Sequence, residues 1–337
     1  MPSFAIGVDL GGTNLRVAAV DESGNLLEKV TSGTEVGRGR DQVINDMTTV
    51  ILDLEVKFAS AGKLAGIGVG VPGIIDMRTG MLRESPNLPG WEDYPVKDEI
   101  ERRLHAPVLL ENDANAAALG ESWLGAARDY DSMCMLTLGT GVGGGIVLNG
   151  EVWRGMAGMA GELGHITVDP NGPPCGCGSR GCVEQYASAT AIKRMAMEAI
   201  ADGSAPELAR AAHGNVEFSA KTVYQMAVQG DEPALAIFRK VGWALGIVVG
   251  DLANIFNAPM YVIGGGVSSS WEAFAPAMLE ELRRRSFVYA ATTPADAPRK
   301  PGTTIITRAL LGSDAGLYGA ALLGLSGAGA SNRKRTA

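Results

Sequence analysis

The sequence lacks the features that would place it in several common classes of protein. Its longest apolar run, residues 241–250, lies between Lys240 and Asp251 and is far short of the roughly 20 residues that a membrane span needs. Basic residues are not in excess, since 37 Asp and Glu stand against 29 Lys and Arg, for a net charge of -8. This balance argues against a general nucleic-acid or anionic-membrane surface.

Two further absences exclude other classes of protein. Four cysteines are too few for a disulfide framework in 337 residues, and reduced thiols suit the cytosol. The chain also has no G-x-x-x-x-G-K-[ST] pattern, which excludes a P-loop. The first predicted strand begins by Phe4 and leaves no room for a signal peptide, so we expect a cytoplasmic protein. The length predicts about two domains.

The most informative stretch present is the glycine-rich segment 138–145, which reads LGTGVGGG. It follows a predicted strand, 133–138, and leads into a second one, 146–148, which closes on Asn149-Gly150, a type I′ hairpin signal. A turn of this composition exposes backbone N–H groups that attract phosphate. Its glycines also match G-x-G-x-x-G, but no helical pattern follows, so the Rossmann interpretation is rejected.

The same arrangement opens the chain. A strand over 4–9, a glycine turn over 10–14 and a strand over 15–20 repeat the pattern of strand, glycine turn and strand. The alternative is two ordinary hairpins. One such unit at the start of each half favours a duplicated fold that holds one polyphosphate between two hairpin turns.

A third glycine loop follows a predicted buried strand, 259–263. Here Gly264 and Gly265 precede a helix with Ser269 and Glu272 at capping-box spacing. Strand, loop and helix in this order suit an adenosine or a phosphate held at the helix end. The alternation of strands and helices in the first half predicts an α/β fold.

A carboxylate lies where a predicted strand, 107–110, gives way to an Ala-rich helix. Either Asn112 or Asp113 could cap that helix, and a simple N-cap is the alternative to a functional role for Asp113. If Asn112 caps, Asp113 can point outward at the carboxyl edge of the sheet, where ligands bind. The helix N-terminus favours the ionised form that a proton acceptor needs.

Three of the cysteines predict a metal site. His165, Cys175, Cys177 and Cys182 supply one imidazole and three thiolates on a glycine- and proline-rich loop, as a structural zinc site requires. Unpaired thiols and a surface histidine are the alternative. Cys134 lies in a strand and is expected to be an inert core residue.

Two glutamates flank this predicted metal site. Glu162 precedes His165, and Glu184 follows Cys182 by two residues. A loop held by zinc could present both carboxylates to the hydroxyls of a neutral polar ligand. Solvated surface charges are the alternative.

With these residues assembled, the chain resembles sugar kinases of the repressor, open reading frame and kinase (ROK) family. The likeness covers nearly the whole chain, and its most specific parts are GELGH at 161–165 and CGCG at 175–178. It implies the duplicated actin-like ATPase (ribonuclease H-like) fold, with two domains around a central cleft. The expected boundaries are a small domain of 1–112 plus 310–327, a large zinc-containing domain of 113–309, and a disordered tail of 328–337.

The resemblance also implies roles for particular residues. Asp113 would be the base that accepts the proton of the sugar hydroxyl. The other sugar-binding residues would be Gly73, Asn87, Asn112, Glu162, His165 and Glu184. Asp9 would face Mg²⁺, and the remaining ATP-binding residues would be Gly11, Gly12, Thr13, Asn14, Thr140, Gly141, Gly264 and Gly265.

Residues 85–91 are similar to the glucokinase branch, so glucose is the expected substrate. Polyphosphate-dependent relatives generally lack the cysteine cluster, which favours ATP as the donor. Kinases for N-acetylmannosamine, N-acetylglucosamine or fructose are the alternatives, and a non-catalytic sugar sensor is an alternative of a different class. Repressors of the family carry a helix-turn-helix module ahead of the sugar domain, and we do not expect that role here. Similar proteins are commonly homodimers, and we expect neither a nucleic-acid nor a membrane partner.

Overall fold

The computed structural model describes residues 2–293 and 302–333. The strands in these ranges are β1 (Ser3–Leu10), β2 (Asn14–Asp21), β3 (Leu26–Gly33), β4 (Lys63–Val71), β5 (Ile74–Asp76), β6 (Met81–Glu84), β7 (Leu109–Asn112), β8 (Met133–Leu138), β9 (Val142–Leu148), β10 (Glu151–Val152), β11 (Met260–Gly264) and β12 (Ile305–Arg308). The helices are α1 (Arg40–Phe58), α2 (Val96–Leu104), α3 (Asp113–Trp123), α4 (Glu184–Ala187), α5 (Ala189–Ala201), α6 (Pro206–Ala212), α7 (Ala220–Val228), α8 (Glu232–Phe256), α9 (Trp271–Arg285), α10 (Phe287–Thr292) and α11 (Ala315–Arg333).

The first sheet has the order β3-β2-β1-β4-β7. Strands β1, β2 and β3 pair antiparallel, whereas β4 pairs parallel with both β1 and β7. The first sheet thus passes from antiparallel hairpins into parallel strands, in agreement with the predicted α/β fold. Parallel pairing matters for the site, because it places the carboxyl ends of β1, β4 and β7 at one edge.

Different helices cover the two faces of this sheet. Helix α1 packs an apolar face, with residues three to four positions apart, into the same core as Ile6 and Val8 of β1. Gly7 lies between Ile6 and Val8 in β1 and faces the opposite side of the sheet, because successive residues of a strand face opposite sides. There α11 lies so close that a β-carbon on Gly7 would overlap the carbonyl oxygen of Leu317.

The chain forms two compact units. The first comprises the described parts of Met1–Asp131, Gly145–Gly161 and Ser313–Ala337, and the second comprises Ser132–Gly144 and Glu162–Gly312. Their division differs from the domain boundary expected at residue 112, since α3 belongs to the first unit. The reason is the close packing of α3 on α11, where a β-carbon on Gly120 would overlap the carbonyl oxygen of Ala315.

The second sheet has the strand order β10-β9-β8-β11-β12, and β11 is parallel to both β8 and β12. The division between the units falls within β9, whose residues Val142–Gly144 belong to the second unit. Between β9 and β10, Asn149 and Gly150 have φ values of 53° and 78°. Both values are positive, as a type I′ turn requires, so the predicted hairpin is confirmed.

Helices α8 and α9 pack along the glycine stripe of α8. A β-carbon on Gly246 would lie 2.7 Å from the carbonyl oxygen of Met278, and one on Gly242 would overlap that of Phe274. The absent side chains let the two backbones approach closely. The stripe is therefore a packing surface between α8 and α9.

One prediction about a helix end is wrong. Ser269 and Glu272 do not form a capping box: Ser270 occupies the N-cap of α9, and the Ser269 hydroxyl donates to the carbonyl oxygen of Gly266 in the preceding 3-10 turn. Helix α11 ends at Arg333, within the segment 328–337, for which a disordered tail stays a prediction. The last residues of that predicted tail, 334–337, lie outside the described residues. No helix within residues 2–293 or 302–333 has the length and apolarity to cross a membrane.

Candidate active site

The first sheet aligns three strand ends in one row. Asp9 of β1 is in register with Gly70 of β4, and Gly70 is in register with Glu111 of β7. Because Gly70 has no side chain, this row stays close to the start of α3: a β-carbon there would lie 3.8 Å from the Cα atom of Asp113. Asp9 and Asp113 are therefore at the same carboxyl edge, where ligands of open α/β sheets bind.

Asn112 and Asp113, at the start of α3, have different roles. Asn112 is the N-cap, and its Oδ1 accepts hydrogen bonds from the N–H groups of Ala114 (2.9 Å) and Asn115 (3.1 Å). Its Nδ2 donates to the carbonyl oxygen of Gly73 at 3.1 Å. Asp113 follows as the first residue of α3 and is half-buried. Asp113 is thus not needed as the N-cap, and the helix end favours an anion at its position.

Asp9 is paired across the hairpin with Arg16. Its Oδ2 accepts a hydrogen bond from Nη1 of Arg16 at 2.8 Å. Burial raises the pKa of Asp9; the Arg16 charge and hydrogen bond lower it, and the Asp314 carboxylate raises it. A divalent cation bound here would offset the cost of keeping this carboxylate ionised.

The first glycine turn is closed by a hydrogen bond from the Gly11 N–H to the carbonyl oxygen of Asn14, at 2.9 Å. Gly12 packs against Asn87, and a β-carbon on residue 12 would lie 2.6 Å from the Asn87 carbonyl oxygen. A candidate phosphate residue and a candidate sugar residue are thus side by side within the first unit. Gly73 has a φ of 112°, which favours glycine, and a β-carbon there would overlap the carbonyl oxygen of Glu84.

The second glycine turn is supported by the start of α5. The turn itself is closed by the Gly139 N–H, which donates to the carbonyl oxygen of Gly141 at 2.9 Å. The Ala189 N–H donates to the Gly139 carbonyl oxygen, and the Thr190 hydroxyl donates to that of Thr140, both at 2.8 Å. The carbonyl oxygens of Gly139 and Thr140 therefore both accept hydrogen bonds from the start of α5.

The third glycine loop adjoins the second. Gly264 ends β11, and Gly265 has a φ of 79°. A β-carbon on Gly265 would overlap the carbonyl oxygen of Leu138, the residue that begins the second glycine turn. The second and third glycine loops, which carry expected phosphate and nucleoside residues, therefore lie together within the second unit.

The four expected metal ligands form a cluster. The Nδ1 atom of His165 lies 3.6 Å from Sγ of Cys175, and the Sγ atoms of Cys177 and Cys182 lie 3.7 Å apart. All four ligand atoms lie within 4.8 Å of one another. A tetrahedral zinc with Zn–S bonds of about 2.3 Å separates its sulfur ligands by roughly 3.8 Å. The donor set and its spacing therefore fit zinc, and they do not fit unpaired thiols scattered on a surface loop.

The fourth cysteine, Cys134, is fully buried in β8, and burial raises the pKa of its thiol to about 12. It is thus kept as a neutral thiol, as expected of an inert core residue.

His165 can serve two partners because its ring has two nitrogens. Nδ1 faces Cys175, while Nε2 lies 4.0 Å from Oε2 of Glu162. Burial raises the pKa of Glu162; His165 lowers it, and the Glu184 carboxylate raises it. The side chain of Glu162 is nevertheless 49% exposed, so its carboxylate remains in contact with solvent.

Glu184 stands between the cysteine cluster and the second glycine turn. Its Oε2 accepts a hydrogen bond from the N–H of Val142 at 2.9 Å, and its Oε1 lies 4.0 Å from Sγ of Cys175. The sequence placed Glu184 near the metal ligands. Its bond to the strand that follows the glycine turn had no sequence signal.

Sequence reasoning missed two residues of the site. Glu111 is fully buried and forms an ion pair with Arg154, whose Nη2 lies 2.6 Å from Oε2 of Glu111. A glutamate that ends a buried strand directly before Asn112 and Asp113 was the available signal for Glu111. Nothing in the sequence around Arg154 indicates its partner.

The strand-turn-strand units and the carboxylates at a sheet edge define the class of the protein: it has the actin-like ATPase fold. The sequence profile of the ROK family matches residues 5–326, and the chain belongs to the ROK family.

The chain is similar to a glucokinase of Thermotoga maritima, with 42% identity over 94% of this chain and 95% of that protein. A glucokinase of Halalkalibacterium halodurans is 39% identical, over 93% of this chain and 92% of that protein. Among solved structures, the ROK family glucokinase of Streptomyces griseus in complex with glucose and AMPPNP has 35% identity and a TM-score of 0.74. That likeness covers 95% of this chain and 98% of the other.

Proposed function

We propose that this protein transfers the terminal phosphoryl group of ATP to a hexose, converting glucose to glucose 6-phosphate. The observation that carries the proposal is the 42% identity to a glucokinase over nearly the full length of both chains. The likeness to a glucokinase structure that holds glucose and an ATP analogue supports the same substrates.

Asp113 accepts the proton of the attacking sugar hydroxyl. Its half-buried position at the start of α3, on the same sheet edge as Asp9, supports this role. Asn112, Asn87 and Gly73 hold the sugar from the first unit. Asn112 also shapes the turn, since its Nδ2 already donates to Gly73.

We assign Glu162, His165 and Glu184 as further sugar-binding residues. The grouping of these three side chains around the cysteine cluster supports this assignment. The carboxylates accept hydrogen bonds from sugar hydroxyls, and Nε2 of His165 is available beside Glu162 once Nδ1 faces the metal.

The nucleotide is held by backbone groups. Gly11, Gly12, Thr13 and Asn14 contact the phosphates from the first glycine turn, and Thr140 and Gly141 do so from the second. Gly264 and Gly265 contact the nucleoside, and Asp9 would face a Mg²⁺ ion, which would neutralise phosphate charge. Phosphoryl transfer depends mainly on such positioning and charge neutralisation.

His165, Cys175, Cys177 and Cys182 would hold a structural zinc ion. With four protein ligands, such an ion would have no open position for water activation. The role of the metal is to hold the loop that carries Glu162 and Glu184.

The active form is a cytoplasmic homodimer. This assignment rests on the fact that similar proteins are commonly homodimers. Light scattering coupled to gel filtration tests the dimer.

The test of the function is an ADP-release assay with MgATP and each of glucose, fructose, mannose, N-acetylmannosamine and N-acetylglucosamine. We expect the highest kcat/KM with glucose. A higher value with another hexose would reassign the substrate. Tight hexose binding with no ADP release above the background would instead identify a sugar sensor.

A further inference from the structure

Glu111 is a buried carboxylate that takes no direct part in the proposed reaction. Oε1 accepts hydrogen bonds from the backbone N–H of Asn112 and from Nδ2 of Asn115, both at 3.1 Å. Oε2 accepts a hydrogen bond from Nε of Arg154 at 2.7 Å, and Nη2 of Arg154 lies 2.6 Å from the same oxygen. Glu111 has no exposed surface, whereas Asp113 is half-buried. Glu111 therefore cannot replace Asp113 as the base.

The partners of Glu111 enclose Asp113 in the sequence. Asn112 directly precedes Asp113, and Asn115 lies two residues after it in the first turn of α3. Burying a carboxylate is costly unless its charge is paired and its oxygens are hydrogen-bonded. The residue before Asp113, through its backbone N–H, and the residue two after it, through its side chain, are therefore both held by Glu111.

Arg154 belongs to a different segment. It follows β10, and its carbonyl oxygen accepts a hydrogen bond from the Ala160 N–H at 3.1 Å. This bond closes residues 155–159 into a loop whose base is Arg154. The chain leaves the loop through Gly161 and enters Glu162, one of the proposed sugar residues.

We propose that Glu111 and Arg154 form a positioning pair. The pair sets the orientation of Asp113 and also that of the loop of residues 155–159, which precedes Glu162. This inference rests on the proposed kinase function and names residues that support it without touching substrate. The pair depends on the planar guanidinium, which directs two N–H groups at one carboxylate oxygen. Lysine would keep the charge but lose that fixed geometry.

The test compares Arg154→Lys and Glu111→Gln with Arg102→Lys. Arg102 is the matched control, because it pairs with Glu99 at the exposed surface of α2 in the same unit. We expect the first two variants to lower kcat by about 10-fold or more, with KM for ATP changed less than about 2-fold. Arg102→Lys should behave as the wild type. Turnover is expressed per folded molecule, determined by circular dichroism.

A second readout keeps the test decisive if Glu111→Gln is unstable. In folded Arg154→Lys, hydrogen–deuterium exchange should rise both at residues 112–116 and at residues 153–161, and neither segment should change in Arg102→Lys. Unchanged turnover per folded molecule, or faster exchange in the loop alone, would overturn the positioning pair. A wild-type protein that phosphorylates no hexose would instead overturn the proposed function, while the exchange data still report on the pair.

Discussion

Gly141 and Glu184 are packed so closely that a β-carbon on residue 141 would overlap the Oε2 atom of Glu184. The same oxygen accepts the hydrogen bond from the Val142 N–H. The close approach is possible only because residue 141 is glycine. One carboxylate thereby joins the second glycine turn to the segment that follows the cysteine cluster, so changes at the phosphate turn should reach the sugar residues.

Replacing Gly141 with alanine should therefore lower kcat/KM for the hexose by about tenfold, which corresponds to roughly 1.4 kcal/mol. The added methyl group must displace either Glu184 or the turn, and displacement of Glu184 breaks its bond to Val142. Steady-state kinetics with both substrates measure the effect. Gly37→Ala is the control, since a β-carbon there meets no atom within 4 Å. Wild-type kinetics in Gly141→Ala would contradict the link.

Replacing Asp113 with asparagine should lower kcat by at least about 100-fold while leaving hexose affinity largely intact. Asparagine keeps the shape of the side chain but cannot accept the hydroxyl proton. Calorimetry gives the affinity, and the ADP-release assay gives kcat. Asp98→Asn is the matched control, because Asp98 is an exposed aspartate in the first turn of α2. Retained turnover in Asp113→Asn would remove this residue from its role as the base.

Removing the metal should lower the Tm and raise KM for the hexose, because the loop that carries Glu162 and Glu184 loses its cross-link. Elemental analysis should find about one zinc per chain in the wild type and far less in Cys177→Ala. Cys134→Ala should keep its zinc, since Cys134 is buried in a strand and is not a member of the cluster. A zinc-free protein with an unchanged KM would argue against the supporting role of the metal.

Asp9→Asn should abolish activity yet raise the Tm at neutral pH. Burial raises the pKa of Asp9, so its neutral form is favoured in the folded state. The contribution of the protonated Asp9 carboxyl to the free energy of unfolding is fully present at low pH. It is lost as the pH rises through the folded-state pKa. Asparagine avoids that loss.

The Tm difference between Asp9→Asn and the wild type should therefore shrink as the pH falls through the raised pKa of Asp9. Thermal melts across this pH range measure it. Asp53→Asn, at an exposed position of α1, should show no such gain. An Asp9→Asn protein less stable than the wild type at neutral pH would mean that the lost Arg16 pair outweighs the cost of burying the charge.

The sequence alone determined the features that depend on local chemistry. Positive φ values at Asn149 and Gly150, the apolar face of α1 and the glycine stripe of α8 follow from the conformational freedom and size of residues near one another in the chain. The sequence also predicted the His165, Cys175, Cys177 and Cys182 cluster, because thiolates and imidazole at short spacing are typical of a metal site. Family motifs then supplied the fold and the expected site residues.

Only the tertiary structure decided which polar groups meet across the chain. Asp9 aligns with Glu111 through Gly70, and Glu111 pairs with Arg154, 43 residues away. None of these relationships has a local signal, because each depends on strand register and on which distant donor reaches a buried carboxylate. Local composition specifies the elements, whereas the hydrogen-bonding needs of buried charges are met only once the chain is packed.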